Sequence, residues 1–339
     1  MVSRVDSVGL WAIRVVSTLG VIVSLWAAVA TGAMLIHGHP AYTILLVVVF
    51  VVSFLVAFRS WRRKARPQRR RAVVLRGIGI VAGAAVIAVA AWLVPSSAVE
   101  PALTAMNSDS AVSGTGVSVS ENALQIVLTP TGAVSPTGVF FQPGARVDAR
   151  AYAAVLRPLA EAGHIVVIPK QPLGIAFLAI TAFGSARTSY PAVTRWVVGG
   201  HSLGGTVAAI DAQSFSVSAS APPPATAGAA STSSAPTSPP VVGLLLFASY
   251  PATDMSTSLN AKVLSISGSN DGLATPAKIA ESKKLLPADT TFVVVEGGVH
   301  AFFGDYGPQS GDGQPTTTHD DARTTISEAS VAFVDGFDK

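Results

Sequence analysis

Residues 199–206, with the sequence GGHSLGGT, contain a serine that could act as a nucleophile. Gly200 and Gly204 lie two residues before and two residues after Ser202, which gives the pattern G-x-S-x-G. A serine on a tight strand-to-helix turn has a strained backbone, and side chains at those two positions would collide. The turn lifts the hydroxyl clear of the sheet and aims the amide of Leu203, at a helix N-terminus, at a developing oxyanion. The pattern therefore predicts acyl-transfer chemistry at Ser202.

A serine hydroxyl needs a general base, and that base needs an acid that orients it. When the nucleophile follows a strand of this kind, the acid and then the base are expected after later strands. Asp271 follows the apolar segment 262–268, and His300 follows the segment 291–297. The chain order Ser202, Asp271, His300 is the one expected for a Ser-His-Asp triad.

Other side chains compete for these two roles. Asp254 follows the apolar segment 241–250 and is an alternative acid. His319 lies far beyond the last predicted strand, which makes it a weaker candidate for the base. His201 adjoins Ser202, but the turn is expected to point its ring away from the hydroxyl.

The second oxyanion donor is expected in the loop after segment 138–142. Pro143 has no N–H, which leaves Gly144 or Ala145. Gly144 is favoured because glycine lets the backbone approach a substrate closely. The run HDD at 319–321 could suggest a metal site, but such a cluster at a helix start more often caps the helix. No metal or cofactor is expected, and the absence of cysteine excludes disulfides and thiolate chemistry.

Apolar strands alternate with helices from residue 123 onward. Strands are predicted at 123–128, 138–142, 164–169, 195–200, 241–250, 262–268 and 291–297. Helices are predicted at 148–163, 205–213, 275–286 and 321–337, with all or part of a further helix at 174–183. The alternation predicts an α/β fold with a mostly parallel sheet covered by helices on both faces. Ligands bind beyond the carboxyl ends of such strands, where the three candidate triad residues lie.

The region from about residue 115 to the end resembles the α/β-hydrolase superfamily, and more narrowly the bacterial α/β-hydrolase fold-5 group. The motifs that carry this resemblance are QPGARVDARAY (142–152), PKQPLGIAF (169–177), GGHSLGGT (199–206), SYPA (249–252), SGSNDGLATP (267–276), LLP (285–287) and GGVHAFFGDYGPQ (297–309). The resemblance implies an α/β-hydrolase fold with Ser202 as nucleophile, Asp271 as acid and His300 as base. Val299 departs from the asparagine that the group often has there, which removes a local hydrogen bond.

Three long apolar runs precede this region. They cover residues 15–36, 41–58 and about 78–94, and none contains a charged residue. At about 1.5 Å per residue each can cross a hydrocarbon core of about 30 Å. Only 12% of all residues are charged, against roughly a quarter in typical soluble proteins. We therefore expect a membrane region with three transmembrane helices (1–97), a tether (98–114) and a hydrolase domain (115–339).

Basic residues are concentrated between the second and third runs. Residues 59–76 hold nine Lys and Arg and no acid. A nucleic-acid patch is one interpretation. The flanking apolar runs favour a cytoplasmic loop that obeys the positive-inside bias and contacts anionic lipids. The N-terminus is then cytoplasmic and the domain after the third run extracytoplasmic. A cleaved signal peptide ending near AVA at 28–30 is an alternative for the first run and leaves this orientation unchanged.

One stretch interrupts the alternation of strands and helices. Residues 212–240 are almost wholly Ala, Ser, Thr, Pro and Gly, which predicts a flexible surface insertion.

The sequence as a whole predicts a serine hydrolase anchored in the plasma membrane, resembling carboxylesterases and acting on a small acyl substrate through an acyl-enzyme, with no nucleic-acid partner. Thioesters and amides stay open as alternative bonds. An inactive hydrolase-fold binding or scaffolding module at the cell envelope is the alternative function.

Overall fold

The computed structural model describes residues 4–109, 116–216 and 239–339. The chain forms two compact units, Met1–Pro95 and Ser96–Lys339. The helices of the first unit are α1 (Arg4–Thr31), α2 (Met34–His37), α3 (Pro40–Trp61) and α4 (Arg70–Trp92). By length and composition, α1, α3 and α4 are able to cross a membrane. The prediction of three long apolar N-terminal helices is confirmed.

The first unit has the side-chain distribution of helices in an apolar solvent. Apolar side chains point outward, so that Val47, Val48 and Phe54 are each about half exposed. The buried face of α1 is instead rich in small and hydroxyl side chains, namely Ser17, Gly20, Ser24, Ala27 and Thr31. The three hydroxyls on this face each donate to the carbonyl four residues earlier, so their hydrogen bonds are made within the helix. Small residues on this face let neighbouring helices approach closely.

The first helix differs from the predicted run 15–36 at both ends. It begins at Arg4 and ends at Thr31, because Gly32 has a φ of +53° that breaks the helix. The short helix α2 follows this break.

The second unit contains a single mixed sheet in the described residues. Its strands are β1 (Val117–Glu121), β2 (Gln125–Pro130), β3 (Thr137–Gln142), β4 (Val166–Pro169), β5 (Arg195–His201), β6 (Val241–Phe247), β7 (Lys262–Gly268) and β8 (Thr291–Val295). The strand order is β1-β2-β4-β3-β5-β6-β7-β8. The pairs β1–β2 and β2–β4 are antiparallel, and all other neighbours are parallel. The predicted α/β fold with a mostly parallel sheet is confirmed.

Helices cover both faces of this sheet. They are α5 (Ala102–Ala105), α6 (Ala153–Glu161), α7 (Ala182–Ser189), α8 (Leu203–Phe215), α9 (Pro276–Ser282) and α10 (His319–Asp335). Successive strand residues point to opposite faces. Phe141 therefore packs in a core cluster with Leu156 of α6, and Phe140 packs in a second cluster with Phe183 of α7. Strands buried on both faces have continuous apolar sequences, which is why their positions could be predicted.

Three segments differ from the sequence-based description. Strand β1 was not predicted, because VSVSE is half polar and the strand lies at the sheet edge with only Val117 buried. Helix α8 extends to Phe215, so the predicted insertion begins after it, and residues 217–238 lie outside the described residues. Residues 98–109, part of the predicted tether, belong to the second compact unit, where α5 packs on α6.

Candidate active site

Ser202 occupies the turn between β5 and α8. Its backbone angles are φ +52° and ψ −123°, a conformation that costs energy for any residue with a side chain. A Cβ on Gly200 would lie 2.6 Å from the carbonyl oxygen of Gly204, and a Cβ on Gly204 would collide with the carbonyl oxygens of Gln142 and Pro143. The packing of this turn therefore leaves no room for a side chain at Gly200 or Gly204, as the sequence pattern predicted.

The first turn of α8 leaves the amide of Leu203, directly after this serine, without an acceptor in the part of the chain that the structure describes. The N–H groups of Gly205 and Thr206 donate to the carbonyl oxygen of Ser202. The N–H of Leu203, at the first helical position, has no intrahelical acceptor and no other partner among the described residues. Ser202 itself is half-buried. If this hydroxyl attacked a carbonyl carbon, the oxyanion formed on the carbonyl oxygen could be bound by this free amide at the positive end of the helix dipole.

Asp271 and His300 form a buried pair at the ends of β7 and β8. Asp271 Oδ2 lies 2.8 Å from Nδ1 of His300, and both residues are buried. The second carboxylate oxygen accepts the N–H groups of Leu273 and Ala274 at 2.7 and 2.8 Å. The carboxylate thus fixes the imidazole with its Nδ1–H toward Asp271, which leaves the Nε2 lone pair to act as a base.

Ser202 lies at the same edge of the sheet as this pair, and within the described residues no hydrogen bond joins its side chain to either member. His300 Nε2 has no hydrogen-bond partner among the residues that the structure describes. The ring of His201, the residue before the serine, lies 4.5 Å from the ring of His300, centroid to centroid. The strand order β5-β6-β7-β8 brings the three predicted triad residues to one edge of the sheet. Catalytic hydrogen bonds are often long in free enzymes and tighten when substrate binds.

A buried network on the other side of the turn was missed by the sequence analysis. The hydroxyl of Tyr152 lies 2.8 Å from His201 Nδ1 and accepts the N–H of Gly144 at 2.9 Å. Burial, reinforced by the neighbouring His300, lowers the pKa of His201 well below its usual value, and burial raises the pKa of Tyr152. Both groups are therefore neutral near pH 7, and the tyrosine proton is assigned to the bond with His201.

This network corrects the predicted second oxyanion donor. The N–H of Gly144 is already engaged by Tyr152, so it is not free to bind an oxyanion in this structure. The next amide, that of Ala145, has no partner within the described part of the chain. The loop that carries it packs against His201 and Gly204, on either side of the serine in the chain, since a Cβ on Gly144 would press on His201 and one on Gly204 would meet Pro143.

The rival residues are engaged elsewhere. Asp254 is exposed and accepts the N–H and hydroxyl of Ser256. His319 lies 3.4 Å from Asp305 and stacks on Phe302. Neither contacts the pair of Asp271 and His300.

The run HDD forms the first turn of α10, and Thr318 caps this helix. The hydroxyl of Thr318 accepts the N–H of Asp321 at 3.1 Å at the start of α10.

Comparisons with solved structures found several similar chains. A serine hydrolase homologue from Coxiella burnetii is 13% identical, with 64% of this chain and 98% of that chain covered and a TM-score of 0.40. An esterase from Thermogutta terrifontis is 14% identical, with coverages of 66% and 92% and a TM-score of 0.43. Est1E from Butyrivibrio proteoclasticus is 12% identical, with coverages of 65% and 99% and a TM-score of 0.41. Similarities of this size carry no argument about activity.

A search of curated proteins found no match. The sequence profile of the alpha/beta hydrolase family matches residues 138–219 and 225–324, which is more than half of the chain and includes Ser202, Asp271 and His300. The chain therefore belongs to the α/β-hydrolase family.

Proposed function

We propose that the protein is a membrane-anchored serine hydrolase that cleaves carboxylic esters through an acyl-enzyme. The observation that carries the proposal is the buried pair of Asp271 and His300, joined at 2.8 Å at the sheet edge that also carries a serine on a strained turn. Membership of the α/β-hydrolase family supports a hydrolytic reaction.

In the acylation step, Nε2 of His300 takes the proton of the Ser202 hydroxyl as Oγ attacks the acyl carbon. Asp271 holds the imidazole through Nδ1–H and stabilises the imidazolium that forms. The carbonyl oxygen becomes an oxyanion, for which we assign the amides of Leu203 and Ala145 as donors. Collapse of this intermediate breaks the ester C–O bond, and the imidazolium gives its proton to the departing alcohol.

Deacylation repeats these steps with water as the nucleophile. His300 takes one proton from water while the oxygen attacks the acyl-enzyme carbon. The same two amides stabilise the second oxyanion. Its collapse breaks the bond to Ser202 Oγ, which recovers the proton from His300, and the carboxylic acid leaves.

The membrane anchor in this proposal is formed by α1, α3 and α4. The nine basic residues within 59–76 support a cytoplasmic position for the connection between α3 and α4, since positive charge is enriched on that side. The N-terminus is then cytoplasmic, and the hydrolase unit acts outside the plasma membrane on a small acyl substrate.

A fluorophosphonate probe tests the nucleophile on the full-length protein in membranes. We expect the wild type to be labelled and Ser202→Ala to be unlabelled, with hydrolysis of short-chain aryl esters lost in parallel. Ser249→Ala is the matched control, because Ser249 lies close by but its hydroxyl donates to the carbonyl of Ser202. Labelling that persists in Ser202→Ala would refute the assignment. A folded wild type inert toward both reagents would favour a non-catalytic binding module.

A further inference from the structure

Asp312 accepts three backbone N–H groups from the two segments that carry the proposed acid and base, and a fourth from Gly313, its own neighbour in the chain. Its Oδ1 accepts the amides of Gly272 at 3.1 Å, His300 at 3.0 Å and Gly313 at 2.7 Å. Its Oδ2 accepts the amide of Ala301 at 2.8 Å. Gly272 directly follows Asp271 in the chain. One side chain is therefore bonded to the residue after the acid, to the histidine itself and to the residue after it.

The sheet does not align these two segments by itself. The β7–β8 ladder ends with the pairing of Gly268 and Val295, so the acid and the histidine both lie beyond it. Past the ladder, the amide of Asn270 donates to the carbonyl of Gly298 at 2.9 Å. The hydrogen bonds accepted by Asp312 involve the residues closest in the chain to Asp271 and His300. A carboxylate is a strong acceptor, since hydrogen bonds to a charged group are roughly twice as strong as neutral ones.

The segment around Asp312 is pressed against the acid segment with no room for side chains between them. A Cβ on Gly272 would lie 2.7 Å from the carbonyl oxygen of Gly311 and from the nitrogen of Gly313. The side-chain amide of Asn270 also donates to the carbonyl of Gln314 at 2.9 Å. The carboxylate of Asp312 therefore lies where two backbone segments are in direct contact. A small change in its shape or charge would move the segments that carry Asp271 and His300.

We propose that Asp312 is a positioning residue that sets the orientation of His300 relative to Asp271. The inference rests on the proposed hydrolase function. Asp312 itself contacts no reacting atom in this scheme and acts through the two backbone segments that it joins. A displacement of about 1 Å in a catalytic group can cost on the order of 10²-fold in rate.

Substitution of Asp312 in the full-length protein tests the effect on catalysis. Asp312→Asn keeps the side-chain volume but turns one acceptor oxygen into an amino group that faces a backbone N–H. We expect kcat on an aryl ester to fall about 10- to 100-fold while KM changes less than about twofold, because the substrate site is untouched. Asp312→Glu keeps the carboxylate and is expected to recover part of the rate. Asp254→Asn, which removes an exposed carboxylate bonded to Ser256 alone, is expected to retain the wild-type rate.

An NMR measurement distinguishes a positioning role of Asp312 from a general effect on stability, and it does not depend on the proposed activity. The proton between His300 Nδ1 and Asp271 is expected to give a low-field proton NMR signal, identified by its loss in Asp271→Asn. In Asp312→Asn we expect that signal to shift or vanish while the protein stays folded at the assay temperature, as thermal unfolding would show. The inference would be overturned if Asp312→Asn kept both the wild-type NMR signal and the wild-type kcat. It would also be overturned if the loss of rate in this variant were no larger than the fraction of the variant that is unfolded at the assay temperature. If the wild type hydrolyses nothing, the proposed function fails, and the NMR signal still decides the role of Asp312.

Discussion

The hydroxyl of Tyr152 lies 2.8 Å from Nδ1 of His201, a residue 49 positions further along the chain. This contact joins α6 and the segment before it to the end of β5, which is directly followed by Ser202. The same hydroxyl holds the amide of Gly144, so it sets the path of the loop that presents the amide of Ala145. Burial, reinforced by the neighbouring His300, lowers the pKa of His201 and keeps it neutral, and its Nδ1 is already engaged by Tyr152.

Loss of this hydroxyl is expected to reduce activity. Tyr152→Phe leaves the buried amide of Gly144 and Nδ1 of His201 unpaired, at about 1–3 kcal/mol for each unsatisfied group. The loop then moves, and we expect kcat/KM to fall at least tenfold, as expected when an oxyanion donor is misplaced. Tyr190→Phe is the matched control, because that hydroxyl accepts one hydrogen bond from Gln125. Equal kinetics for the two variants would argue against a link between Tyr152 and the oxyanion site.

Asp271→Asn is expected to lower kcat by about 10⁴-fold with little change in KM. The amide cannot hold the Nδ1–H tautomer of His300 as a carboxylate does, so Nε2 is no longer available as a base. Ester hydrolysis by the folded variant is the measurement, and Asp254→Asn tests the rival acid. A greater loss in Asp254→Asn than in Asp271→Asn would exchange the two assignments.

The turn that carries Ser202 is expected not to tolerate a methyl group at position 204. Gly204→Ala places a Cβ against the carbonyl oxygens of Gln142 and Pro143, which are backbone atoms that cannot move aside cheaply. We expect loss of fluorophosphonate labelling and a lower thermal midpoint. Gly184→Ala is the control, since its Cβ would meet nothing closer than 4.0 Å within α7. Alanine there should leave labelling unchanged and raise stability by about 0.5–1 kcal/mol.

Asp211 is expected to make stability depend on pH. Burial raises the pKa of this residue to about 7, above the ordinary value of 3.8. The folded state therefore keeps a proton that the unfolded chain releases between about pH 4 and 7, and the free energy of unfolding falls as pH rises through that window. Asp211→Asn removes this penalty.

The size of the effect follows from the pKa shift. About 1.4 kcal/mol per pKa unit sets an upper bound of about 4 kcal/mol at pH 8, or roughly 10 °C in thermal midpoint. Thermal unfolding of the wild type and Asp211→Asn at pH 5 and pH 8 is the measurement. A midpoint difference that does not grow between these two values would show that the carboxyl is not held neutral.

The membrane orientation is testable with two reporters fused after Lys339. A phosphatase that folds only outside the cytoplasm is expected to be active, and a fluorescent protein that matures only inside is expected to be dark. Fusion of the same reporters at Arg66, within the basic stretch 59–76, should give the reverse pattern. Fluorescence from the fusion after Lys339 would place the hydrolase unit in the cytoplasm.

Much of the fold could be predicted from local patterns in the sequence. The buried parallel strands are continuous apolar runs, and three of them, β5, β7 and β8, are followed within a few residues by the candidate residues Ser202, Asp271 and His300. The glycines around Ser202 were recognisable because their requirement is steric and local. Strand β1 was missed because an edge strand with one buried residue has no such apolar signal.

Contacts between distant segments were decided by the tertiary structure alone. The amide of Gly144 is bonded to Tyr152, and the carboxylate of Asp312 reaches Gly272, 40 residues away. Residue spacing records the period of a helix or strand and the chemistry of a turn. It does not record which buried donor meets which acceptor, because that depends on how the helices and loops pack against the sheet. The sequence therefore determined which residues stand at the strand ends, and packing decided which of their amides are free.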